Sequence, residues 1–590
     1  MKLRIIFFLS ISVLFITGCS SSLSLQKPEN TEYQYSAPWD KELYNSFYEN
    51  LSEIELKEDV KGGIVPHHLV AGFMPATFFN SLQKQNPSTI VLLGPNHFGR
   101  GHGKVITTNR DWKTPYGIVK TNRKLIKDFS VVSIEEEVIK EEHSLYSLIP
   151  FIKISLPKTE VVALALRSDL NEEEMNSLVK ELLQTLPKDT VIISSIDFSH
   201  YQTLPVANFH DEISIGIIKN FDYERLNKLE IDSVPSLYVL LKLMESYNTQ
   251  KIIHEEHSNS AIITGNSSTK ETTSYYSPYF VEGKATEEKI ASILFFGDMM
   301  LGRNVNRKIK THGEDYLFSK LGGQENRFFS GMDIITANLE GPFANYRRET
   351  TKEIAFQFDP KLIPMLQKYN FSLFSLANNH TLDMGRTGLV ESKENLTKAD
   401  LEYYGTEIGI NEETYLIKEV GGIKFGFIGL NDTYLDLNTT KAKELIKDLD
   451  TKVDYVVLNI HWGQEYKLLN SNLRQQNLAH NFIDTGVDVI IGHHPHVIQE
   501  IEIYKNKPIF YSLGNFVFDQ YFSEETQQGL GVGIIFRDNK LSLYILPLEG
   551  EASAVKQTPY KEASTILDQV VDKSRLGDYD IDNFNLKINL

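Results

Sequence analysis

The stretch Gly492-His493-His494-Pro495-His496-Val497 follows directly on the apolar run 487–491. The run predicts a buried strand, and the proline with its polar neighbours predicts a turn at the carboxyl end of that strand. Three imidazoles within four residues suit a metal cation, because imidazole is a common ligand of divalent transition metals. The alternative is a polar loop with exposed histidines, and the rest of the chain bears on that choice.

Further apolar runs in the C-terminal half also end in carboxylate, amide or imidazole side chains. Asp and Asn favour turns through local hydrogen bonds, so any single one of these ends has an ordinary explanation. The whole series indicates a common site, since ligands of α/β sheets bind at the carboxyl ends of strands. The run ends are Asp298 after 292–296, Glu340 after 333–339, Asn379 and His380 after 371–376, and His461 after 455–460.

Six short motifs mark these strand ends: Gly297-Asp298-Met299-Met300-Leu301, Asn338-Leu339-Glu340, Asn378-Asn379-His380, His461-Trp462-Gly463, His494-Pro495-His496 and Ser512-Leu513-Gly514-Asn515-Phe516. In this order they resemble the calcineurin-like metallophosphoesterase fold. More closely, they resemble the CapA family of poly-gamma-glutamate capsule proteins. The resemblance implies a metallophosphoesterase-like α/β/β/α sandwich over residues 290–590.

The same resemblance implies roles for individual residues. Carboxylates and imidazoles together favour manganese, iron or zinc over calcium. Arg303 is a candidate contact for an anionic substrate, or else one half of a salt bridge. The wider phosphoesterase pattern has Asp-x-His where this chain has Met300, so one ion loses a ligand and a single ion or a weak second ion is expected. The implied ligands of one or two divalent ions are Asp298, Glu340, Asn379, His461, His494 and His496, with His380 as general acid.

The N-terminal half shows the same pattern of apolar runs that lead to histidines. His67 follows the run 63–65, His97 follows 89–93, and Asp197 and His200 follow 191–193. Between the last two runs, Asn171 predicts the start of an amphipathic helix. Strands that alternate with amphipathic helices predict an α/β layer architecture.

Four motifs carry a second family resemblance: Pro66-His67, Gly94-Pro95-Asn96-His97, Glu142-His143-Ser144 followed by Pro150, and Asp197-Phe198-Ser199-His200. With them, residues 36–285 resemble the Memo-like family (AmmeMemoRadiSam system protein B). The fold of that family is similar to class III extradiol dioxygenases, so the resemblance implies a second α/β sandwich.

In the Memo-like family, the histidines that match His67 and His97 join a cysteine as metal ligands. Counting back from Pro235 places Ile231 at the position of that cysteine. A candidate iron or copper ion would therefore need further ligands, and the nearby candidates are His143, Asp197 and His200. The alternative is a retained pocket whose histidines are hydrogen-bonded core residues.

Length and charge limit the classes of function. A chain of 590 residues is longer than one hydrophobic core can fill, so two domains are expected, with a junction near residues 285–290. Lys and Arg number 60 against 78 Asp and Glu, a formal net charge of -18. This charge repels a phosphate backbone, and we expect no nucleic-acid partner.

The amino terminus predicts export. Lys2 and Arg4 precede the apolar run 5–16, which is short for a membrane span. The sequence Ile16-Thr17-Gly18-Cys19 resembles the lipobox of bacterial lipoproteins, which implies a signal peptide over 1–19 and lipidation of Cys19, the only cysteine. Residues 20–35 then predict a polar tether. We expect a lipid anchor on the extracytoplasmic face of the cell membrane; the alternative is an ordinary signal peptide with a chance cysteine.

These patterns predict a membrane-anchored, extracytoplasmic, metal-dependent hydrolase or transferase. The family resemblance implies that its substrate is an anionic envelope polymer such as poly-gamma-glutamate, or a precursor, during capsule biosynthesis or attachment. The alternative is a non-catalytic, metal-organised binding module for such a polymer, with a degenerate Memo-like domain. Met300 and Ile231 favour that alternative.

Overall fold

The computed structural model describes residues 33–34, 39–49, 51, 54–434 and 437–590. Cys19 and the predicted signal peptide lie outside these residues, so the expected lipid anchor stays a prediction. None of the helices within the described ranges has the length and hydrophobicity that a membrane span requires. Tyr33 and Gln34, which the sequence assigns to the tether, already pair with a strand of the first domain.

The first domain contains an eight-stranded mixed sheet and a small three-stranded sheet. Its strands are β1 (Tyr33–Gln34), β2 (Gly62–Val65), β3 (Thr89–Pro95), β4 (Val105–Thr107), β5 (Asp111–Thr114), β6 (Gly117–Val119), β7 (Ser133–Ile134), β8 (Glu160–Leu166), β9 (Val191–Ser195), β10 (Lys251–Asn259) and β11 (Ser274–Val281). Its helices are α1 (Lys41–Ser46), α2 (Phe73–Ser81), α3 (Arg123–Lys127), α4 (Glu136–Glu141), α5 (His143–Tyr146), α6 (Ile149–Ser155), α7 (Glu172–Thr185), α8 (Leu204–Lys219), α9 (Val234–Ser246) and α10 (Ser260–Thr264).

Helices cover both faces of the large sheet, whose strand order is β10-β11-β2-β9-β3-β8-β4-β7. The central strands β2, β9, β3 and β8 are parallel, so their carboxyl ends lie at one edge. Successive residues of β3 point to opposite faces: Ile90 and Leu92 join one core, and Val91 and Leu93 the other. Asn171 caps α7 with a capping box, which confirms the predicted helix start.

The second domain contains a nine-stranded and a six-stranded sheet. Its strands are β12 (Ile290–Met299), β13 (Ile334–Leu339), β14 (Leu373–Ser375), β15 (Glu402–Tyr404), β16 (Tyr415–Val420), β17 (Ile423–Asn431), β18 (Tyr455–His461), β19 (Val489–His493), β20 (Ile501–Tyr504), β21 (Lys507–Phe510), β22 (Asn515–Val517), β23 (Gln528–Arg537), β24 (Lys540–Glu551), β25 (Ala554–Gln557) and β26 (Asn585–Asn589). Its helices are α11 (Arg303–His312), α12 (Ser319–Gly322), α13 (Ile363–Lys368), α14 (Gly385–Lys398), α15 (Thr439–Asp450), α16 (Leu473–Ile483) and α17 (Tyr560–Lys573).

The two sheets of the second domain face each other. Their orders are β15-β14-β13-β12-β23-β24-β25, with β22 on β12 and β26 on β24, and β16-β17-β18-β19-β21-β20. Ile293 and Phe295 of β12 and Phe425 of β17 belong to one core between the sheets. Helices α15 and α16 cover the outer face of the smaller sheet. Both domains are therefore α/β sandwiches, as the sequence predicts, and the second is layered α/β/β/α.

Helix α8 of the first domain also packs on the second domain. Phe209 is fully buried, and its ring centroid lies 5.3 Å from that of Tyr544 in β24. A Cβ at Gly533 would come within 2.9 Å of the Phe209 ring, so β23 needs a glycine there. Beside this contact, Glu212 accepts hydrogen bonds from Arg537 and from the hydroxyl groups of Ser542 and Tyr544. The two domains thus share one continuous core.

We predict that Phe209→Ala destabilises both domains, because the shared ring contributes to each. Loss of a buried Phe side chain costs about 3–5 kcal/mol. Tryptophan fluorescence reports Trp462 of the second domain by itself in proteins that also carry Trp39→Phe and Trp112→Phe. Urea unfolding followed by this signal should show a lower midpoint for the variant. Phe209→Leu, which keeps most of the apolar volume, should cost less than about 1.5 kcal/mol. An unchanged Trp462 midpoint in Phe209→Ala would show that the domains unfold independently.

Candidate metal centres

The carboxyl ends of strands from both sheets meet in the second domain. Asp298 lies near the end of β12, Glu340 follows β13, and Asn379 lies four residues beyond β14. In the smaller sheet, His461 ends β18, and His494 follows β19. Because β12, β13 and β14 are adjacent and parallel, as are β18 and β19, the ends of both sheets lie at one edge.

These side chains form a buried cluster. Ligand atoms of Asp298, Glu340 and His461 all lie within 4.8 Å of one another. His496 Nδ1 lies 3.2 Å from Asp298 Oδ2, and His496 Nε2 lies 3.7 Å from Glu340 Oε1. His461 Nε2 is 3.0 Å from Asn379 Oδ1. The structure therefore brings together, at one place, side chains separated by about two hundred residues of sequence.

His494 belongs to the same cluster, and Glu465 adds a ligand that sequence reasoning did not assign. The rings of His461 and His494 have centroids 4.8 Å apart. Ligand atoms of Glu465, His494 and His496 lie within 4.8 Å of one another. His494 and His496 both have left-handed backbones, with φ of 95° and 57°. Non-glycine residues in such conformations store about 1–3 kcal/mol of strain each, a feature that is common at binding sites.

The cluster fits a divalent cation. Both carboxylate oxygens of Glu340 are buried without a hydrogen-bond partner among the described residues. A buried carboxylate needs a counter-charge or hydrogen bonds, because desolvation of an ion is costly. Imidazoles and carboxylates, the donor set present here, are ligands of manganese, iron and zinc. We infer that Glu340, with Asp298 and the histidines, holds an ion.

The pKa values of the cluster show charges that neutralise one another only in part. Burial raises the pKa of Glu340 well above its ordinary value. Burial also lowers the pKa of His494, to about 3, so its imidazole is neutral and can act as a ligand. Burial opposes protonation of His496, but Glu340 and Asp298 outweigh it and raise its pKa to about 9. The electrostatics of the cluster thus favour an added positive charge.

His380 faces this cluster from a turn. Its Nε2 lies 3.8 Å from Glu340 Oε1, and its Nδ1 lies 2.6 Å from Asp383 Oδ2. The Asp383 carboxylate also accepts hydrogen bonds from Phe356 N and Lys352 Nζ. Sequence reasoning missed Asp383, although its spacing three residues after His380 is a signal for a shared turn. The pair orients the imidazole with Nε2 toward the centre.

The structure also places three further side chains near the centre: Arg303, Met300 and His493. Arg303 makes a two-pronged ion pair with Asp519, so the structure places it in the salt bridge that was the alternative to an anion contact. Met300 is buried, and its Sδ lies 3.0 Å from Gly302 N as a hydrogen-bond acceptor. His493, which the sequence does not assign as a ligand, lies 3.5 Å from Asp298 Oδ1 through its Nδ1.

We predict that Glu340→Gln removes the ions of the second domain without unfolding it. The amide lacks the charge that holds a cation, and the unpaired buried carboxylate is lost with it. Metal content per chain, measured by elemental analysis after dialysis, should fall, while the melting temperature in chelator stays the same or rises. Glu500→Gln is the matched control, because that buried carboxylate binds Ser471 instead. It should keep the ions and lower the melting temperature; retained ions in Glu340→Gln would contradict the site.

The first domain holds a second cluster at the carboxyl ends of β2, β3 and β9. His67 Nδ1 lies 3.1 Å from Ser195 Oγ, whose hydroxyl donates to Ser144 O, so Nδ1 carries the proton. His97 Nδ1 lies 2.8 Å from the Glu142 carboxylate, which likewise accepts its proton. Both imidazoles therefore direct an Nε2 lone pair into the same space, as metal-ligating histidines do.

Asp232, the residue after Ile231, is the side chain of this turn that lies against the histidines. Asp232 Oδ2 lies 3.4 Å from His67 Nε2 and 3.8 Å from His97 Nε2. Its Oδ1 is buried and has no hydrogen-bond partner among the described residues. Ile231 points instead into the hydrophobic core. Helix α9 begins at Val234, and the conformation of the turn before it cannot be read from sequence spacing.

The remaining candidate residues of the first domain lie around these three. Asp197 Oδ2 is 3.4 Å from His67 Nε2, close enough to share an ion with Asp232. The His143 ring stacks on His97 at 4.2 Å between centroids, and its ligand atom lies within 4.8 Å of those of His67 and His97. The backbone N of His200 donates to Glu230, and its buried Nδ1 has no partner in the described part of the chain. Two imidazoles and a carboxylate suit iron.

We predict that Asp232→Ala weakens cobalt binding by the first domain, because it removes the carboxylate that faces both His67 and His97. Visible absorption of Co²⁺, titrated into protein that carries Glu340→Gln, reports this site by itself. Asp232→Cys should restore binding and add a thiolate-to-cobalt band, which arises only if residue 232 is a ligand. Asp211→Asn is the control, since its carboxylate pairs with His257 away from the site. Unchanged cobalt spectra in Asp232→Ala would contradict the assignment.

Comparisons with known proteins match each half of the chain separately. Residues 34–277 match the model for the Memo-like protein family, and residues 292–520 match the model for the bacterial capsule synthesis protein family PGA_cap. A capsule biosynthesis protein CapA from Bacillus anthracis is 31% identical over 297 residues, which cover 46% of this chain and 71% of that protein. A MEMO1 family protein from Methanosarcina barkeri is 30% identical over 212 residues, which cover 34% of this chain and 74% of that protein.

Among solved structures, the calcineurin-like phosphoesterase YfkN from Bacillus subtilis aligns with 48% of this chain and 97% of its own, at 15% identity and a TM-score of 0.23.

Proposed function

Because this chain belongs to the Memo-like family through its first domain and to the bacterial capsule synthesis family through its second, we propose that it acts in making or attaching an anionic envelope polymer of the poly-gamma-glutamate type. We further propose that the second domain is a metal-dependent hydrolase or transferase. Its substrate is then a phosphate or acyl bond in the polymer or in its precursor.

One observation carries the proposal of catalysis. Glu340 is fully buried beside Asp298 and His496, and neither of its carboxylate oxygens has a hydrogen-bond partner among the described residues. A core carboxylate that serves only the fold would be satisfied by hydrogen bonds or a cationic side chain, as Glu500 is by Ser471. This observation supports the binding of a cation, supplied from solution, beside Glu340.

Some residues of the centre would bind the ion, and His380 would transfer a proton. An ion held by Asp298, Glu340 and the histidines would supply a Lewis acid that polarises a phosphoryl or acyl oxygen. His380 points its Nε2 at the same space and is positioned to protonate a leaving group. Asp383 accepts from His380 Nδ1 and stabilises the protonated imidazole. Lys352, which donates to Asp383 and to Asn379 O, adds positive charge at the rim.

A groove of the second domain, lined by residues within 382–398 and 403–413, has room for an extended substrate, and its volume is about 930 Å³. One lining residue, Glu407, has its carboxylate 4.0 Å from Lys352 Nζ. The walls carry the exposed apolar residues Val390 and Ile408. Their charged side chains are three cations and three carboxylates: Arg386, Lys393, Lys398, Glu394, Glu407 and Glu413. We propose that the apolar residues and the cations contact the methylene groups and carboxylates of the polymer.

We predict that His380→Ala lowers kcat by about 10²–10⁴-fold while the ion content stays unchanged, because general acid catalysis contributes that much. Turnover should be measured with phosphomonoesters, phosphodiesters and a poly-gamma-glutamate substrate, together with metal content. His312→Ala, an exposed histidine of α11, is the control and should match the parent. Asp298→Asn should lose both ion and turnover.

The rival function is a non-catalytic binding module, and Met300 favours it because its thioether replaces an imidazole ligand. Stoichiometric ion and polymer binding, without turnover on any of these substrates by the parent protein, would establish that rival.

We also propose that a lipid on Cys19 holds the protein on the extracytoplasmic face of the membrane. Membrane fractionation of cells that produce the Cys19→Ala protein tests this anchor, because loss of the acyl chain should release the protein.

A further inference from the structure

The chain segment that carries Asp232 is held by the other domain. We name residues 225–232 the carrier segment, which lies between α8 and α9. Arg225 Nη1 donates to Ile290 O at 2.8 Å, and it lies 3.2 Å from the Asp333 carboxylate. Further along, Gly331 N donates to Lys228 O at 2.8 Å. Both contacts cross from the second domain to the first.

The contact nearest Asp232 is an ion pair between Glu230 and Arg327. Glu230 is 3% exposed, and its carboxylate binds the Arg327 guanidinium and accepts from His200 N at 2.8 Å. The second-domain Arg327 is thus the counter-charge of a buried first-domain carboxylate. Glu230 lies only two residues from Asp232 in the sequence. Its hydrogen bond from His200 N also fixes the backbone of His200, another residue of the first-domain centre.

The part of the second domain that presents Arg327 has an unusual backbone. We name residues 323–331 the hook. Glu325 and Asn326 have φ of 53° and 59°, a left-handed conformation that costs energy in residues with a Cβ. Beyond Arg327, Gly331 also has a positive φ, of 78°, and comes close to His210 and Glu230. The hook contacts the carrier segment at two points, Arg327 with Glu230 and Gly331 N with Lys228 O.

We propose that Arg327 is a positioning residue for the first-domain metal centre: through Glu230, the second domain holds Asp232 in place to bind an ion with His67 and His97. The proposal rests on the first-domain ion site described above and not on catalysis by the second domain. Without Arg327, Glu230 is a buried carboxylate that lacks a counter-charge, so the carrier segment moves to hydrate it and carries Asp232 away. The fusion of the two domains then completes the first-domain site.

The experiment compares two arginines that make the same kind of contact. Arg327→Met and Arg537→Met each remove an ion pair between the domains, but only Arg327 touches the carrier segment; Arg537 pairs with Glu212 and Glu288. All variants carry Glu340→Gln, and Co²⁺ is titrated while its visible absorption is recorded. We expect Arg327→Met to weaken cobalt binding by about tenfold or more. Arg537→Met should stay within about twofold of the parent, and Arg327→Lys should recover part of the loss.

A second measurement does not depend on the ion. Amide hydrogen exchange over residues 226–233, recorded in chelator, should be faster in Arg327→Met and unchanged in Arg537→Met. If Arg327→Met fails to fold, Arg327→Lys replaces it, because it keeps the positive charge but not the guanidinium; it should show weaker cobalt binding and faster exchange than the parent, and values equal to the parent's overturn the proposal. Cobalt affinity and exchange equal to those of the parent in the folded Arg327→Met protein overturn the proposal. A parent protein that binds no cobalt overturns the ion site, and the exchange data then decide whether Arg327 holds the segment.

Discussion

Buried charge that the polypeptide does not neutralise is the constraint on which both centres depend. In the second domain, Glu340 lies in the core next to Asp298, and the part of the chain that the structure describes offers it no hydrogen-bond donor. In the first domain, Asp197 and Asp232 lie together against His67. Placing carboxylates this close in a low dielectric is unfavourable unless a cation or protons compensate. Each cluster is therefore better explained by binding than by stability.

The sandwich architecture makes such clusters possible. Parallel strands deliver their carboxyl ends to one edge, where the backbone leaves the sheet and side chains are free to converge. In the second domain two sheets contribute, so ligands come from β12 and β13 on one side and from β18 and β19 on the other. The left-handed backbones of His494 and His496 show that this convergence costs conformational energy, which the packed sheets around them supply.

The shared core joins the two domains physically. Phe209 of α8 packs on β23 and β24, and Arg327 of the hook neutralises Glu230 in the first domain. Apolar packing holds the domains together, whereas the ion pair acts at a single place, two residues from a candidate ligand. The ion pair is buried and its geometry is fixed. A shift of Arg327 would therefore change the position of Glu230 more than it would change the charge around Glu230.

The sequence by itself determined the architecture and most of the second centre. Apolar runs that end in Asp298, Glu340, His461 and the 492–497 stretch specify strands and their carboxyl ends, because periodicity and turn residues are local signals. Tertiary structure alone decided which side chains complete each site. Asp383, Asp232 and Arg327 become neighbours of their partners only through turns and a domain contact whose geometry no spacing encodes. Contacts between distant segments depend on how packed layers are placed relative to one another, and one residue of turn length changes which side chain reaches the site.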